Sequence, residues 1–254
     1  MSTSHDPSQD EFNSFNDNGY LFLRNLLTPS ETKNLQQWAQ EVHDLPRTPE
    51  APWMPYEEVN STSARVLCRT ENFASHLAGF NTLLRVQLLE LSGSGGFAPH
   101  IDSTAYTHIR KIKHLTILLA VDAATLRNGD LEIVRDSHKM DVSIDRKDNC
   151  IDPAWVADAV WSLCELQAGE LLVFGNYLAH RSGANKSPED RRVVYATYNC
   201  KAEGDLHEEY YRDRAKEWPA PHMRKEGGNY ATVALRYGFG SPMLSVASGK
   251  QLEV

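Results

Sequence analysis

Short apolar segments of strand length, separated by turn residues, fill most of the chain after its first 84 residues. The first is "RVQLLEL" at residues 85–91, and no helical periodicity lies between most of the others. Strands that follow one another through Gly, Asn, Asp and Ser turns favour an antiparallel sandwich or barrel over alternating strand–helix units. The remaining segments are "HLTILLAVD", "DLEIV", "WSLCELQ", "ELLVFG" and "RVVYATYN".

Helices are predicted before this strand-rich region. "TPSETKNLQQWAQEVHDL" has Thr28 as N-cap, Pro29 in the first helical position and Glu31 completing a capping box. "ENFASHLAGFNTLL" predicts a second helical region, and residues 50–70 between the two read as irregular. We therefore expect an α+β fold, with a double-stranded β-helix (jelly-roll, cupin-like) core and N-terminal helices packed on one sheet. Residues 1–12 are predicted to be disordered and residues 13–254 to form a single domain.

Charge and cysteine usage narrow the range of partners and compartments. The 254 residues carry 26 Lys and Arg against 34 Asp and Glu, a net charge of −8, which argues against a nucleic-acid or anionic-membrane surface. The N-terminus lacks the apolar stretch of a signal peptide, and the four cysteines form no C-x-x-C motif. We expect free thiols, a cytoplasmic location, a small-molecule substrate and a monomer or homodimer.

A metal site is indicated by His100 and Asp102, which end the glycine-rich stretch "SGSGGFAPHID". Residues two apart on an extended segment point to the same side, so the imidazole and the carboxylate can converge. The best third ligand is His180 in "GELLVFGNYLAHRSGAN", which also closes a strand-like run. Two histidines and one carboxylate with open positions form the facial triad of non-haem Fe(II) oxygenases.

A rival pair, His207 and Glu209, lies in a stretch that reads as a helix. Side chains two apart on a helix diverge by about 200°, so this pair cannot hold one ion. The other histidines are expected to be surface or packing residues, with His114 lining the site if its strand faces inward.

An arginine would complete a site of this kind. The co-substrate 2-oxoglutarate binds through its keto acid to the iron, and its distal carboxylate suits the planar fork of an arginine. "SPEDRRVVYATYN" offers Arg191 and Arg192, which face opposite sides of a strand, so the spacing alone leaves the choice open. Ser182 is a plausible hydroxyl donor to the same carboxylate.

These motifs together resemble the phytanoyl-CoA dioxygenase family of Fe(II)/2-oxoglutarate-dependent oxygenases. The resemblance covers roughly residues 11–212 and rests on "GFAPHID", "NGDLEIVRDSHK", "GELLVFGNYLAHRSGANKSPEDRR" and "YATYN". It implies His100, Asp102 and His180 as catalytic metal ligands, Arg191 as the 2-oxoglutarate anchor and Ser182 as its assistant. "WMPYEEVN", "LCRTENF" and "YYRD" resemble members labelled 2-aminoethylphosphonate dioxygenase.

The residues of the substrate pocket are predicted from their positions in the sequence. Glu90 stands where such relatives are expected to carry a basic residue; facing inward it favours a cationic group, and facing outward it has no such role. The other candidate substrate contacts are Tyr106, Arg69, Asn72, Trp53 and Asn199.

The predicted function is an Fe(II)- and 2-oxoglutarate-dependent oxygenase that consumes O2. It would oxidise a C–H bond of a small polar substrate, such as an aminophosphonate, an amino acid or a secondary-metabolite intermediate, with succinate and CO2 as co-products. Two alternatives are a metal-dependent jelly-roll enzyme that does not use 2-oxoglutarate and a non-catalytic jelly-roll binding protein.

Overall fold

The structure, a computed structural model, describes residues 5–59, 65–84, 89–92, 97–105, 113–183, 185, 187–230 and 233. Within these residues the chain forms short strands interspersed with helices. The helices are α1 (Gln9–Asn18), α2 (Pro29–His43), α3 (Ala78–Leu84), α4 (Pro153–Asp158) and α5 (His207–Glu217). The strands are β1 (Tyr20–Leu23), β2 (Met54–Val59), β3 (Arg65–Glu71), β4 (Leu89–Ser92), β5 (Phe97–His100), β6 (His114–Ala120), β7 (Leu131–Val134), β8 (Trp161–Cys164), β9 (Leu171–Gly175), β10 (His180–Ser182) and β11 (Val193–Asn199).

The strands pair into two antiparallel sheets. The major sheet has the order β1-β9-β6-β11-β4-β3-β2, and the minor sheet has the order β5-β10-β7-β8. Many neighbours within the sheets are distant in sequence, as in β5-β10 and β6-β11. This interleaving confirms the predicted jelly roll and brings the ends of remote strands to one place.

Alternating side chains of the major sheet build two separate cores. Leu118 of β6 and Val193 of β11 face the minor sheet, in one cluster with Ile133, Leu172 and Phe174. Their neighbours in sequence point to the opposite face, as a strand's period of two requires. Helices α2 and α3 therefore cover the outer face of the major sheet, which confirms the predicted packing of N-terminal helices on one sheet. This second cluster contains Leu119, Val194, Ala196, Leu35, Ala39, Val42, Phe73, Phe80 and Leu84.

Helix α2 begins as its sequence predicts. Thr28 accepts a hydrogen bond from the backbone N–H of Glu31, whose carboxylate accepts one from the backbone of Thr28. The same reciprocal cap, formed by Ser8 and Glu11, starts α1. Residues 9–12, within the stretch predicted to be disordered, are therefore the first turn of a helix.

The prediction that residues 50–70 are irregular is wrong, because β2 and β3 pair there and extend the major sheet. The sequence does not show the apolar alternation typical of strands here, because charged residues occupy inward positions. Glu57, Arg69 and Glu71 are all buried. A buried charge is tolerated when it is paired, so an apolar alternation is not required.

Two further expectations meet direct observations. Cys68, Cys150, Cys164 and Cys200 are free thiols, as predicted. Among the described residues, no helix is both long and apolar enough to cross a membrane.

Candidate metal centre

Two strand ends of the minor sheet bring the predicted ligands together. His100 ends β5 and His180 begins β10, and the two residues are direct partners in the antiparallel ladder. Asp102 follows His100 as the first residue of a 3-10 turn over Asp102–Thr104. The turn, rather than a continued strand, carries the carboxylate back toward both rings.

Hydrogen bonds orient both imidazoles. Nδ1 of His100 lies 2.8 Å from the carbonyl oxygen of Ala98, and Nδ1 of His180 lies 2.9 Å from that of Leu178. In each case Nδ1 carries the proton and Nε2 keeps a lone pair, which is how metal-binding histidines are commonly held. The two Nε2 atoms lie 3.7 Å and 3.4 Å from Oδ1 of Asp102.

The carboxylate is held from its other side by Thr116 of β6. The Thr116 hydroxyl donates a 2.7 Å hydrogen bond to Oδ2 of Asp102, which leaves Oδ1 facing the histidines. Phe174 and Phe97 form apolar walls, with ring centroids 4.9 Å from His180 and 5.8 Å from His100. Sequence reasoning missed Thr116, whose inward position depends on the strand register of β6.

Burial and neighbouring groups together set the charge states of His100 and Asp102. Burial lowers the pKa of His100 to about 3, with a contribution from the nearby His180, so this imidazole is neutral at neutral pH. Burial alone would raise the pKa of Asp102, but the surrounding histidines and the Thr116 hydrogen bond bring it below its usual value. Neutral imidazole and ionised carboxylate are the forms that bind metals.

These features fit a divalent metal ion. One ligand atom from each of the three residues lies within 4.8 Å of the other two. Among the described residues, these three are the group of His, Cys, Asp or Glu side chains placed closely enough to hold a metal ion. Because one carboxylate and two imidazoles supply three ligands, the remaining positions of an octahedral ion would stay open for other ligands.

The rival pair does not form such a group. His207 and Glu209 lie in the first turn of α5, on a helix as predicted. His114, which is predicted to line the site if its strand faces inward, is buried at the start of β6 and interacts electrostatically with Asp102.

The two adjacent arginines face different environments. Arg192 makes a bidentate pair with Asp122, at 2.7 Å and 2.9 Å, on the outer side of the major sheet. Arg191 is 6% exposed and precedes β11. Burial lowers its pKa, while Tyr195 and Asp130 act in the opposite direction. The alternation therefore places the guanidinium of Arg191, not that of Arg192, inside the fold.

Ser182 lies at the end of β10, two residues after His180. Its hydroxyl oxygen accepts a 3.1 Å hydrogen bond from the backbone N–H of Phe97. The hydroxyl proton itself is available to a further acceptor.

Arg69 belongs to a buried ionic cluster that the sequence did not reveal. Its Nε lies 3.0 Å from Glu71, and Glu71 also forms a bidentate pair with Arg214 of α5. Both guanidiniums lie over the ring of Tyr56, at 4.6 Å and 5.5 Å. The cluster joins α5 to the β2–β3 hairpin.

Arg69 also approaches the metal centre. Its guanidinium carbon lies 6.0 Å from the ring of Phe97, which in turn contacts His100. Among the predicted substrate residues whose side chains are described, Arg69 is therefore the one linked to the triad, through the ring of Phe97.

Three other predicted substrate residues are engaged in local structure. Trp53 donates to the carbonyl of Pro46, and the Asn72 amide, at φ +56°, donates to that of Pro52. Asn199, at the far end of β11 from Arg191, donates to two backbone carbonyls in the next turn. No hydrogen bond or ring contact between described residues joins these three to the triad.

Two predictions concern residues whose side chains are not described. Tyr106 lies outside the described residues. The backbone of Glu90 pairs with Glu71 and Tyr195, but its side chain is likewise outside them. Both remain predictions.

Comparison with known proteins agrees with this geometry. The family model for phytanoyl-CoA dioxygenase (PhyH) matches residues 15–193. The "2-aminoethylphosphonate dioxygenase" of uncultured bacterium HF130_AEPn_1 is 28% identical over 93% of this chain and 98% of its own length. The "Methylphosphonate hydroxylase" of Gimesia maris is 33% identical over 80% of this chain and 85% of its own length.

A solved structure shares the fold. EctD from S. alaskensis, crystallised with 2-oxoglutarate and 5-hydroxyectoine, superposes with a TM-score of 0.66 over 77% of each chain, at 16% identity. The family match and the triad confirm the predicted enzyme class, a dioxygenase that uses Fe(II), 2-oxoglutarate and O2. The chain belongs to the phytanoyl-CoA dioxygenase family of iron- and 2-oxoglutarate-dependent oxygenases.

Proposed function

We propose that this enzyme oxidises a C–H bond of a small anionic metabolite at the triad His100, Asp102 and His180. The observation that carries the proposal is the convergence of the two Nε2 atoms and one carboxylate oxygen, each held from behind by a hydrogen bond. When bound, Fe(II) together with 2-oxoglutarate and O2 supplies the oxidising power, and succinate and CO2 leave as co-products.

The protein's own contribution at this centre is orientation. Each Nδ1–H bond to a backbone carbonyl keeps an imidazole from rotating, and Thr116 keeps the Asp102 carboxylate in one orientation. Fixing ligands in this way lets three residues hold the ion while its other positions remain available. The apolar rings of Phe174 and Phe97 limit the access of water.

Arg191 is proposed to bind the distal carboxylate of 2-oxoglutarate, with Ser182 assisting. The buried position of Arg191 favours it over Arg192, whose guanidinium is engaged with Asp122. A charge-assisted, two-pronged contact in a low-dielectric pocket is both strong and directional.

The substrate is proposed to be a small phosphonate or a related organic acid, with Arg69 near its anionic group. The two relatives described above carry phosphonate names. Arg69 adds a buried cation one aromatic ring away from His100. A guanidinium matches the geometry of a phosphonate or carboxylate. Amino acids and secondary-metabolite intermediates with an acidic group fit the same description.

The proposed setting is the cytoplasm, with the enzyme acting as a monomer or homodimer and without nucleic-acid or membrane partners. Free thiols are typical of a reducing compartment, and the net charge of −8 disfavours polyanionic surfaces.

An anaerobic titration tests the proposed function. Adding Fe(II) and then 2-oxoglutarate to the protein should produce the visible absorption band of the chelate. A succinate-release screen over aminophosphonates, simple alkylphosphonates and amino acids should then identify a substrate that increases succinate release.

A matched pair of variants makes the titration specific. His100→Ala should abolish the band and succinate release while the protein stays folded, whereas His43→Ala, on the exposed end of α2, should change neither. Retained turnover in the His100 variant would refute the triad. Absence of the band in the wild-type protein would favour a metal enzyme that does not use 2-oxoglutarate.

A further inference from the structure

Asp130 is a buried carboxylate that no described hydrogen bond fully satisfies. The residue is 4% exposed and immediately precedes β7. Its Oδ2 atom accepts no hydrogen bond from any described residue. A buried polar atom of this kind costs free energy unless another group, such as a ligand, satisfies it.

The strand register places Asp130 at the end of the site where Arg191 and Ser182 lie. Leu131, the next residue, pairs with Ser182 in the minor sheet. The backbone N–H of Gly183 points at the carbonyl oxygen of Asp130, at 3.4 Å. The two strands approach closely here, since a Cβ on Gly183 would lie 3.3 Å from the Cα of Gly129. Arg191 and Asp130 interact electrostatically across this region.

The charged groups around Asp130 shift its pKa in different directions. Burial raises its pKa to about 6, assisted by Glu132 on β7 and Glu165 after β8, while Arg191 acts in the opposite direction. Glu132 is engaged by Arg181 through two hydrogen bonds. Glu165 is exposed, so solvent screens its charge. Asp130 in turn contributes to the raised pKa of the buried Cys164 thiol.

We propose that Asp130 is a proton-linked positioning residue of the co-substrate pocket, taking up one proton from solvent when the distal carboxylate of 2-oxoglutarate binds to Arg191. The proposal rests on the proposed role of Arg191. Two carboxylates beside one buried guanidinium repel each other, and this repulsion is relieved when one of them is protonated. The protonated Asp130 can then donate a hydrogen bond to the incoming carboxylate, and no other bond is made or broken.

Thermodynamic linkage between proton binding and 2-oxoglutarate binding determines how the affinity for 2-oxoglutarate changes with pH. A second anion raises the pKa of Asp130 above its value in the free enzyme, so the bound state holds more protons. The affinity for 2-oxoglutarate therefore rises as pH falls from the bound pKa to the free pKa. Each unit of separation between the two pKa values gives about a tenfold change in affinity.

Anaerobic calorimetry measures both quantities on the Fe(II)-loaded protein. Titrations of 2-oxoglutarate in two buffers with different ionisation enthalpies report the protons taken up, and repeating them from about pH 6 to about pH 8 reports the affinity profile. We expect net uptake approaching one proton in this interval and a dissociation constant that increases with pH.

Two variants assign the proton. Asp130→Asn, which has the same shape and can donate a hydrogen bond, should remove the uptake and make the affinity independent of pH, near the wild-type value at low pH. Glu165→Gln removes the same charge from an exposed position and should keep the uptake and the pH profile.

The calorimetry distinguishes a failure of the role proposed for Asp130 from a failure of the role proposed for Arg191. If 2-oxoglutarate fails to bind the wild-type protein at every pH, the role of Arg191 is refuted. If it binds without proton uptake, or if the Asp130 variant keeps the wild-type pH profile, the role of Asp130 is refuted while the co-substrate assignment stands. Should Asp130→Asn fold poorly, proton uptake by the wild-type protein still decides, because zero uptake contradicts the proposal.

Discussion

Glutamine in place of Glu71 should destabilise the protein far more than the loss of most ion pairs. Glu71 is completely buried on β3 and its two carboxylate oxygens pair with Arg214 of α5, which is 1% exposed. The same carboxylate lies 3.0 Å from Arg69, itself 3% exposed. Glu71→Gln removes the negative charge that the buried guanidiniums of Arg69 and Arg214 share.

The structure sets the size of the effect. Breaking a buried pair by removing one partner costs about 3–5 kcal/mol, because the remaining charge is left uncompensated away from water. For a chain of this length, each kcal/mol lowers the melting temperature by roughly 2–4 °C. A decrease of roughly 6–20 °C is therefore expected for Glu71→Gln.

Glu132→Gln is a matched control for this measurement. Glu132 makes the same bidentate contact with Arg181, at 2.7 Å and 3.0 Å, but the two side chains are 26% and 31% exposed. Such a pair contributes about 0–1 kcal/mol. Urea unfolding of both variants, followed by tryptophan fluorescence, gives the two free energies of unfolding. Equal losses in the two variants would refute the argument that burial makes the Glu71 pair costly to break.

Two further predictions concern the site. Thr116→Val removes the hydrogen bond that orients Asp102, so Fe(II) affinity in an anaerobic titration should fall about 10–100-fold. Thr82→Val, at an exposed position of α3, should not change this affinity. An unchanged affinity in the Thr116 variant would show that Asp102 is oriented without that hydrogen bond. Arg191→Gln should raise the KM for 2-oxoglutarate by about 30-fold or more, as for loss of a buried charge pair, whereas Arg192→Gln should have a small effect. Similar effects of both arginine substitutions would mean that burial does not identify the anchor.

Local patterns in the chain were sufficient for much of the fold. The helix α2 cap was predictable because Thr28, Pro29 and Glu31 act within one turn. The strands β6, β7, β9 and β11 were predictable because each is apolar and bounded by turn residues. The hairpin β2–β3 was not, because its inward positions carry charges whose partner, Arg214, lies 143 residues from Glu71.

The site divides in the same way. The residue types and spacing of His100, Asp102 and His180 indicate a metal centre, because two imidazoles and one carboxylate are the ligands of the iron facial triad. The sequence alone also determined the antiparallel class, since strand length and turn spacing are local properties. Only the tertiary structure decided which faces point inward. It turned Thr116 toward Asp102, buried Arg191 and brought Asp130 to the same end of the pocket, because strand register and contacts between remote segments exist only once the sheets have formed.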